Sequence, residues 1–103
     1  MPVLSVGLTG TTLVGRNPYR TSINIENRHA TAIIYIDVMP PGGITVSNAS
    51  IRVLPNESCQ ILEIEDGDMV HEEWGVVSDT AATPVAVFEG WKVAPREAET
   101  RGP

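Results

Sequence analysis

Apolar and polar residues alternate along most of this chain with a period of two, the spacing that places successive side chains on opposite faces of a β-strand. The clearest case runs from Tyr19 to Glu26. Its apolar or small positions are Tyr19, Thr21, Ile23 and Ile25, with polar residues between them. This pattern predicts a strand with one face in a core and the other in water or on a partner.

A second patterned run follows from Thr31 to Val38. One of its faces carries alternate apolar side chains, and the opposite face carries Ile33, Tyr35 and Asp37. Two mostly apolar faces favour a central strand, or one that a neighbouring subunit covers. The short polar segment between the two runs, Asn27-Arg28-His29, is typical of a turn, so residues 19–38 are predicted to form a hairpin.

Further short runs with turn signals about every ten residues continue to Val93, and no helix-length pattern interrupts them. They are predicted at residues 44–46, 51–54, 59–64, 69–78 and 85–93, although the first half of 69–78 also fits a helical turn. Seven or eight short antiparallel strands predict an all-β fold, a single small β-sandwich or barrel-like domain over residues 16–93.

The two ends of the chain differ from each other. Residues 1–15 are too apolar for a free arm, so we expect an N-terminal arm or edge strand that pairs within the fold or on another chain. An arm of this kind should be removable with the domain still folded. Residues 94–103 carry no large apolar side chain and are expected to form a flexible tail.

Charge and composition narrow the function classes. The chain of 103 residues has 13 acidic and 7 basic residues and a formal net charge of −6, without the basic patch that nucleic acids or anionic membranes attract. We therefore expect no direct nucleic-acid partner and no membrane partner. The single cysteine, Cys59, lies in a strand pattern and is expected to be a buried, inert thiol. No signal-peptide pattern opens the sequence, which favours intracellular synthesis.

Catalytic and metal-binding patterns are weak. The only histidines, His29 and His71, do not have His-Glu-x-x-His spacing, although together with Glu72 and Glu73 they offer one arrangement for a metal-dependent enzyme. The acidic turn of residues 65–68 does not match a calcium loop. No Gly-x-Ser-x-Gly elbow or phosphate-binding loop is present, so we expect no enzymatic activity, no catalytic residue, no metal and no cofactor.

Several of these strands resemble a known family. Residues 20–27 read Arg-x-Ser-Ile-x-Ile-x-Asn, residues 34–36 read Ile-Tyr-Ile, residues 51–58 read Ile-Arg-Val-Leu-Pro-Asn-Glu-Ser, and residues 85–89 read Val-x-Val-x-Glu. Together they are similar to small tailed-phage capsid decoration (cement) proteins and related virion-associated β-sandwich proteins. The resemblance covers about residues 16–92. It departs from the family at residues 48–50, where Asn-Ala-Ser replaces the usual Asn-Gly.

The resemblance implies a non-enzymatic viral structural protein, made in the host cytoplasm and located on the outer capsid surface of the virion. It implies a homotrimer that binds the major capsid protein or another virion protein and stabilises the shell. The apolar head and outward side chains would then supply the contacts. The interface residues expected on this basis are Val3, Leu4, Val6, Leu8, Leu13, Val14, Arg20, Ile33, Tyr35, Trp74 and Trp91.

A second interpretation starts from the tryptophans. Exposed aromatic faces stack on sugar rings, so Trp74 or Trp91 could serve a carbohydrate- or receptor-binding β-sandwich module of a virion or cell surface. Core or interface packing is the alternative role for both side chains.

Overall fold

The computed structural model describes residues 3–38 and 43–92. This part of the chain contains eight β-strands, one short α-helix and one 3-10 helix. The strands are β1 (Val3–Val6), β2 (Thr11–Val14), β3 (Arg20–Asn27), β4 (Ile34–Asp37), β5 (Ile51–Val53), β6 (Ser58–Leu62), β7 (Trp74–Ser78) and β8 (Thr83–Trp91). The helix α1 (Glu63–Asp66) leads directly into the 3-10 helix (Gly67–His71) between β6 and β7.

The strands form two antiparallel four-stranded sheets, in the orders β1-β8-β3-β6 and β2-β7-β4-β5. We call these sheet A and sheet B. The chain can be drawn as one long antiparallel hairpin, because β1 pairs with β8, β2 with β7, β3 with β6, and β4 with β5. Rolling that hairpin adds the remaining pairs, β3 with β8 and β4 with β7. This strand order is that of a jelly roll.

The predicted fold class is therefore confirmed: the domain is an all-β sandwich. Of the two alternatives expected for the N-terminal segment, an arm or an edge strand, the described residues 3–15 form edge strands, because β1 and β2 lie at the edges of the chain's own two sheets. The strand predicted at residues 44–46 is wrong; this segment is a loop, with the Ile44 side chain buried. The tail predicted at residues 94–103 lies outside the described residues.

The hairpin predicted for residues 19–38 is also wrong, because β3 belongs to sheet A and β4 to sheet B. The chain crosses between the sheets at a corner that Asn27 holds. Its fully buried side-chain amide donates hydrogen bonds to the carbonyls of Ala32 (2.8 Å) and Val53 (3.0 Å). His29 Nδ1 accepts the backbone N–H of Ala32 at 2.9 Å. These side-chain bonds replace the ladder bonds that a hairpin would have made.

Interleaved aliphatic side chains from both sheets fill the space between them. Ile23 and Ile25 of β3 face Ile34 and Ile36 of β4, and all four side chains are fully buried. The alternation seen in the sequence therefore identified the inward-facing isoleucines of β3 and β4. Among the described residues, every buried side-chain nitrogen and oxygen atom has a hydrogen-bond partner.

Candidate interaction surface

Arg20 occupies the end of the sandwich opposite the Asn27 corner, and its side chain is only 1% exposed. Its guanidinium donates to the carbonyls of Val70 (2.7 Å), Gly15 (2.8 Å) and Glu72 (2.7 Å), and to the Glu89 carboxylate at 2.7 Å. The five donors of a guanidinium suit this convergence of acceptors. Arg20 thus ties β3 to the loop before it, to β8 and to the 3-10 helix region, and it is not an interface residue.

Four more of the predicted interface residues point into the core. Trp74 is 2% exposed, and its Nε1 donates to the Met69 carbonyl at 2.9 Å. Val6, Leu13 and Val14 are also buried, as the inward residues of the two edge strands. Buried side chains are not available to a partner of the folded chain, so these four leave the candidate interface and Trp74 cannot stack on a sugar.

The remaining predicted residues are at least partly accessible. Val3, Leu8 and Trp91 are exposed, and Leu4 is half-buried against the core. Ile33 and Tyr35 are half-buried; Tyr35 lies on the outer face of sheet B, between Val77 and Arg52 on the flanking strands.

Among the described residues, four of the nine exposed large apolar side chains belong to segments at the Arg20 end of the sandwich. We call Tyr19, Ile64, Met69 and Trp91 the apolar end; Trp91 is 63% exposed and Ile64 is 90% exposed. Backbone contacts bring their segments together, because the Lys92 N–H donates to the Tyr19 carbonyl at 2.9 Å and Trp91 pairs with Arg20. Lys92 Nζ also lies 3.7 Å from Glu63, the residue before Ile64.

Sequence reasoning missed three of these four residues. Ile64 matched a strand pattern that was predicted to continue from Cys59, but the chain leaves β6 after Leu62 and turns into α1. That turn rotates Ile64 outward. The helical turn considered near Met69 is present as the 3-10 helix. Tyr19 was predicted to lie on the core face, but it precedes β3 and is exposed.

Acidic groups border the apolar end. Glu63, Glu65 and Asp66 lie on α1, and Asp68 follows on the 3-10 helix. His71 Nε2 lies 2.7 Å from a Glu63 carboxylate oxygen, which fixes the junction of the two helices. An apolar centre with an acidic border matches a partner surface that is apolar with a basic border.

The histidines do not come together. His71 lies at the apolar end, whereas His29 lies beyond the other end of β3, an eight-residue strand that spans roughly 25 Å at ~3.3 Å per residue. A metal centre that combines the two is therefore excluded by distance. Among the described residues, no group of three or more His, Cys, Asp or Glu side chains is arranged to hold a metal ion.

Cys59 is half-buried on β6. Burial of the side chain, and to a smaller extent the nearby Asp66 carboxylate, raises the pKa of the Cys59 thiol above its usual range. A raised thiol pKa leaves little of the nucleophilic thiolate at neutral pH. The side chain is less buried than the strand pattern predicted.

Comparison of the chain with protein-family models, with curated proteins and with solved structures found no match. Within residues 3–38 and 43–92, no helix has the length and apolar character needed to cross a membrane.

Proposed function

We propose that this chain is a non-enzymatic viral structural protein, a decoration protein that binds the outer surface of a phage capsid as a homotrimer and stabilises the shell. The observation that carries the proposal is the apolar end. Four large apolar side chains gathered at one end of a small domain are typical of a protein–protein contact. Aromatic residues such as Tyr19 and Trp91 are enriched at the centres of such contacts.

The architecture supports a contact function. The core is filled with aliphatic side chains, and the buried polar groups Arg20 and Asn27 are used in holding the two ends of the sandwich. In the Arg-x-Ser-Ile-x-Ile-x-Asn strand, Arg20, Ile23, Ile25 and Asn27 are all buried. The resemblance to decoration proteins in this strand therefore concerns residues that build the domain. Jelly rolls also occur in viral capsid proteins, which is an analogy of fold.

The first test is the oligomeric state in solution, measured by size-exclusion chromatography with light scattering. We expect a particle of three times the 11.1 kDa chain mass. Binding to the shell is tested by co-sedimentation with purified phage capsids, chosen from the genome that encodes this chain. A monomer that does not sediment with these capsids would refute the proposal.

A double variant locates the contact. Replacing Ile64 and Trp91 with serine removes two exposed side chains and no core contact, so the domain should stay folded while trimer formation or capsid binding weakens at least about tenfold. Leu54→Ser is the control, because Leu54 is also exposed and outside the predicted interface but follows Val53 at the Asn27 corner, the opposite end of the sandwich. An equal effect of control and double variant would remove the apolar end from the proposal.

A further inference from the structure

The outer face of sheet A carries a depression of about 270 Å³, away from the apolar end. Its lining comes from three adjacent strands: Asn24, Ile25 and Glu26 of β3, Ser58 of β6, and Ala86 and Phe88 of β8. The Ile25 side chain is fully buried, so this residue contributes its backbone. We propose that this depression is a binding site for a neutral sugar, one pyranose ring in size.

Strand register sets the shape of the site. Phe88 pairs with Asn24, which pairs with Gln60, and Ala86 pairs with Glu26, which pairs with Ser58. Two rows across three strands cover roughly 10 Å by 7 Å, at ~4.8 Å between strands and ~3.4 Å per residue. Ligand pockets for larger molecules have volumes of about 300–1,000 Å³, so this depression suits a single ring.

One side of the depression is apolar. Phe88 is 56% exposed and forms a wall, while Ala86 beside it is almost fully buried although it faces outward. The C–H face of a sugar ring packs on an aromatic wall of this kind.

The opposite side supplies polar groups in fixed positions. The Gln60 side-chain amide donates to Asn24 Oδ1 at 2.8 Å, which leaves Asn24 Nδ2 and Gln60 Oε1 without a partner among the described residues. Glu26 accepts a 2.6 Å bond from Arg28 through one carboxylate oxygen, and the Ser58 hydroxyl is exposed. Amide, carboxylate and hydroxyl groups beside an aromatic wall match the hydroxyl rim and C–H face of a pyranose.

Charge restricts the ligand further. Among the described residues that line the depression, Glu26 is the one charged side chain, and the whole chain has a net charge of −6. The Arg28 guanidinium beside the depression is already paired with Glu26, and the chain is acidic overall, so an anionic ligand would find no free cation in the described lining and neutral sugars are favoured over sialic acid. The site differs from the tryptophan-based sugar site considered from the sequence, and it does not depend on the apolar end.

The test is titration of ¹⁵N-labelled protein, followed by ¹H–¹⁵N correlation NMR, with four probes. They are the methyl glycosides of glucose, galactose and N-acetylglucosamine, and N-acetylneuraminic acid. At least one neutral probe should bind with a dissociation constant of about 1 mM, the affinity expected for a small shallow site. Amide shifts should centre on Asn24, Ser58 and Phe88. N-acetylneuraminic acid should bind at least about tenfold more weakly.

Three variants distinguish binding in the depression from binding at the exposed tryptophan. Phe88→Ala and Asn24→Ala should each weaken binding about tenfold with the melting temperature little changed, because both side chains lie on the outer face. Trp91→Ala, which removes an exposed aromatic elsewhere, should leave binding within about twofold.

Three results would overturn the proposal. One is the absence of binding by any neutral probe at about 50 mM, far above the expected dissociation constant. Another is binding that Trp91→Ala abolishes and Phe88→Ala does not. The third is a Phe88→Ala variant whose mass in light scattering falls below that of the native protein, since this would make the depression a contact between copies of the chain.

Discussion

At the scale of single residues, the most demanding position is Arg20, because a buried guanidinium requires acceptors for its donors. Arg20→Met would remove the positive charge and leave three carbonyls and the Glu89 carboxylate without it. We expect the free energy of unfolding to fall by about 3–5 kcal/mol, measured by urea denaturation. A loss below about 1 kcal/mol, the size of a surface ion pair, would contradict this role.

Two other variants refine the test. Arg20→Lys keeps the charge but cannot reach four acceptors at once, so it should also destabilise the domain. Glu89→Gln should have a smaller effect than Arg20→Met, because the Glu89 side chain is 31% exposed and the amide oxygen can still accept. The sequence indicated an outward Arg20, since strand alternation placed it opposite Tyr19. The alternating pattern cannot predict that the first side chain of a strand, here Arg20, turns inward to bind carbonyls of other segments.

Cys59 allows a prediction about pH. Its raised pKa means that the thiolate forms at a higher pH in the folded chain than in an unfolded one, so reaction with iodoacetamide should be slow at pH 8 and should accelerate on unfolding. The same shift makes stability constant below the unfolded pKa and lower as pH rises through the folded pKa. Asp66→Asn should increase the reaction rate modestly, because it removes the smaller of the two causes.

Asp66→Asn changes the charge beside the Cys59 thiol and preserves the local hydrogen bond. Asp66 Oδ2 accepts the Leu62 N–H at 3.0 Å, and an asparagine oxygen can accept the same bond, so the charge changes while the contact stays. The quantity to measure is the second-order rate constant of each protein under native conditions. A native rate equal to that of the urea-unfolded chain would show that burial does not protect the thiol.

At the scale of elements, the corner between β3 and β4 shows what a sequence pattern can and cannot specify. Alternation at Ile23 and Ile25, and at Ile34 and Ile36, correctly predicted the inward faces of both strands. It carries no information about which strand is the neighbour, since a hairpin and a sheet-crossing corner bury the same faces. The polar turn at Asn27 fits both, and only the fully buried Asn27 side chain distinguishes them.

Asn27→Ala tests the corner. It would leave the Ala32 and Val53 carbonyls without their side-chain donor, so we expect a loss of about 2–4 kcal/mol in the free energy of unfolding. Asn48→Ala is the matched control, because Asn48 also donates to a carbonyl, that of Gly43, but on an exposed loop; it should cost less than about 1 kcal/mol. The free energy of unfolding of each variant is measured by urea denaturation. Similar losses in the two variants would show that the Asn27 side chain does not hold the corner between β3 and β4.

At the scale of the whole molecule, the rolled hairpin joins the two ends of the described chain, because β1 pairs with β8. The first strand, β1, therefore forms the edge of sheet A next to the last strand, β8. This long-range pairing lies beyond local patterns, and it explains why residues 1–15 could be predicted as apolar and paired but not assigned to an edge of the chain's own sheets. The apolar end could not be predicted from local patterns either, because its four residues come from segments far apart in the sequence.

Deleting residues 1–15 tests this closure. The deletion removes the buried side chains of Val6, Leu13 and Val14, each of which contributes about 1.5–3 kcal/mol, and it uncovers the edges of β7 and β8. That sum is comparable with the whole stability of a small domain, about 5–15 kcal/mol. We therefore expect no cooperative thermal transition by circular dichroism, whereas Leu8→Ser in the same segment should melt like the native protein. If the truncated chain still unfolds cooperatively, the segment is a dispensable arm after all and β1 and β2 do not complete the core.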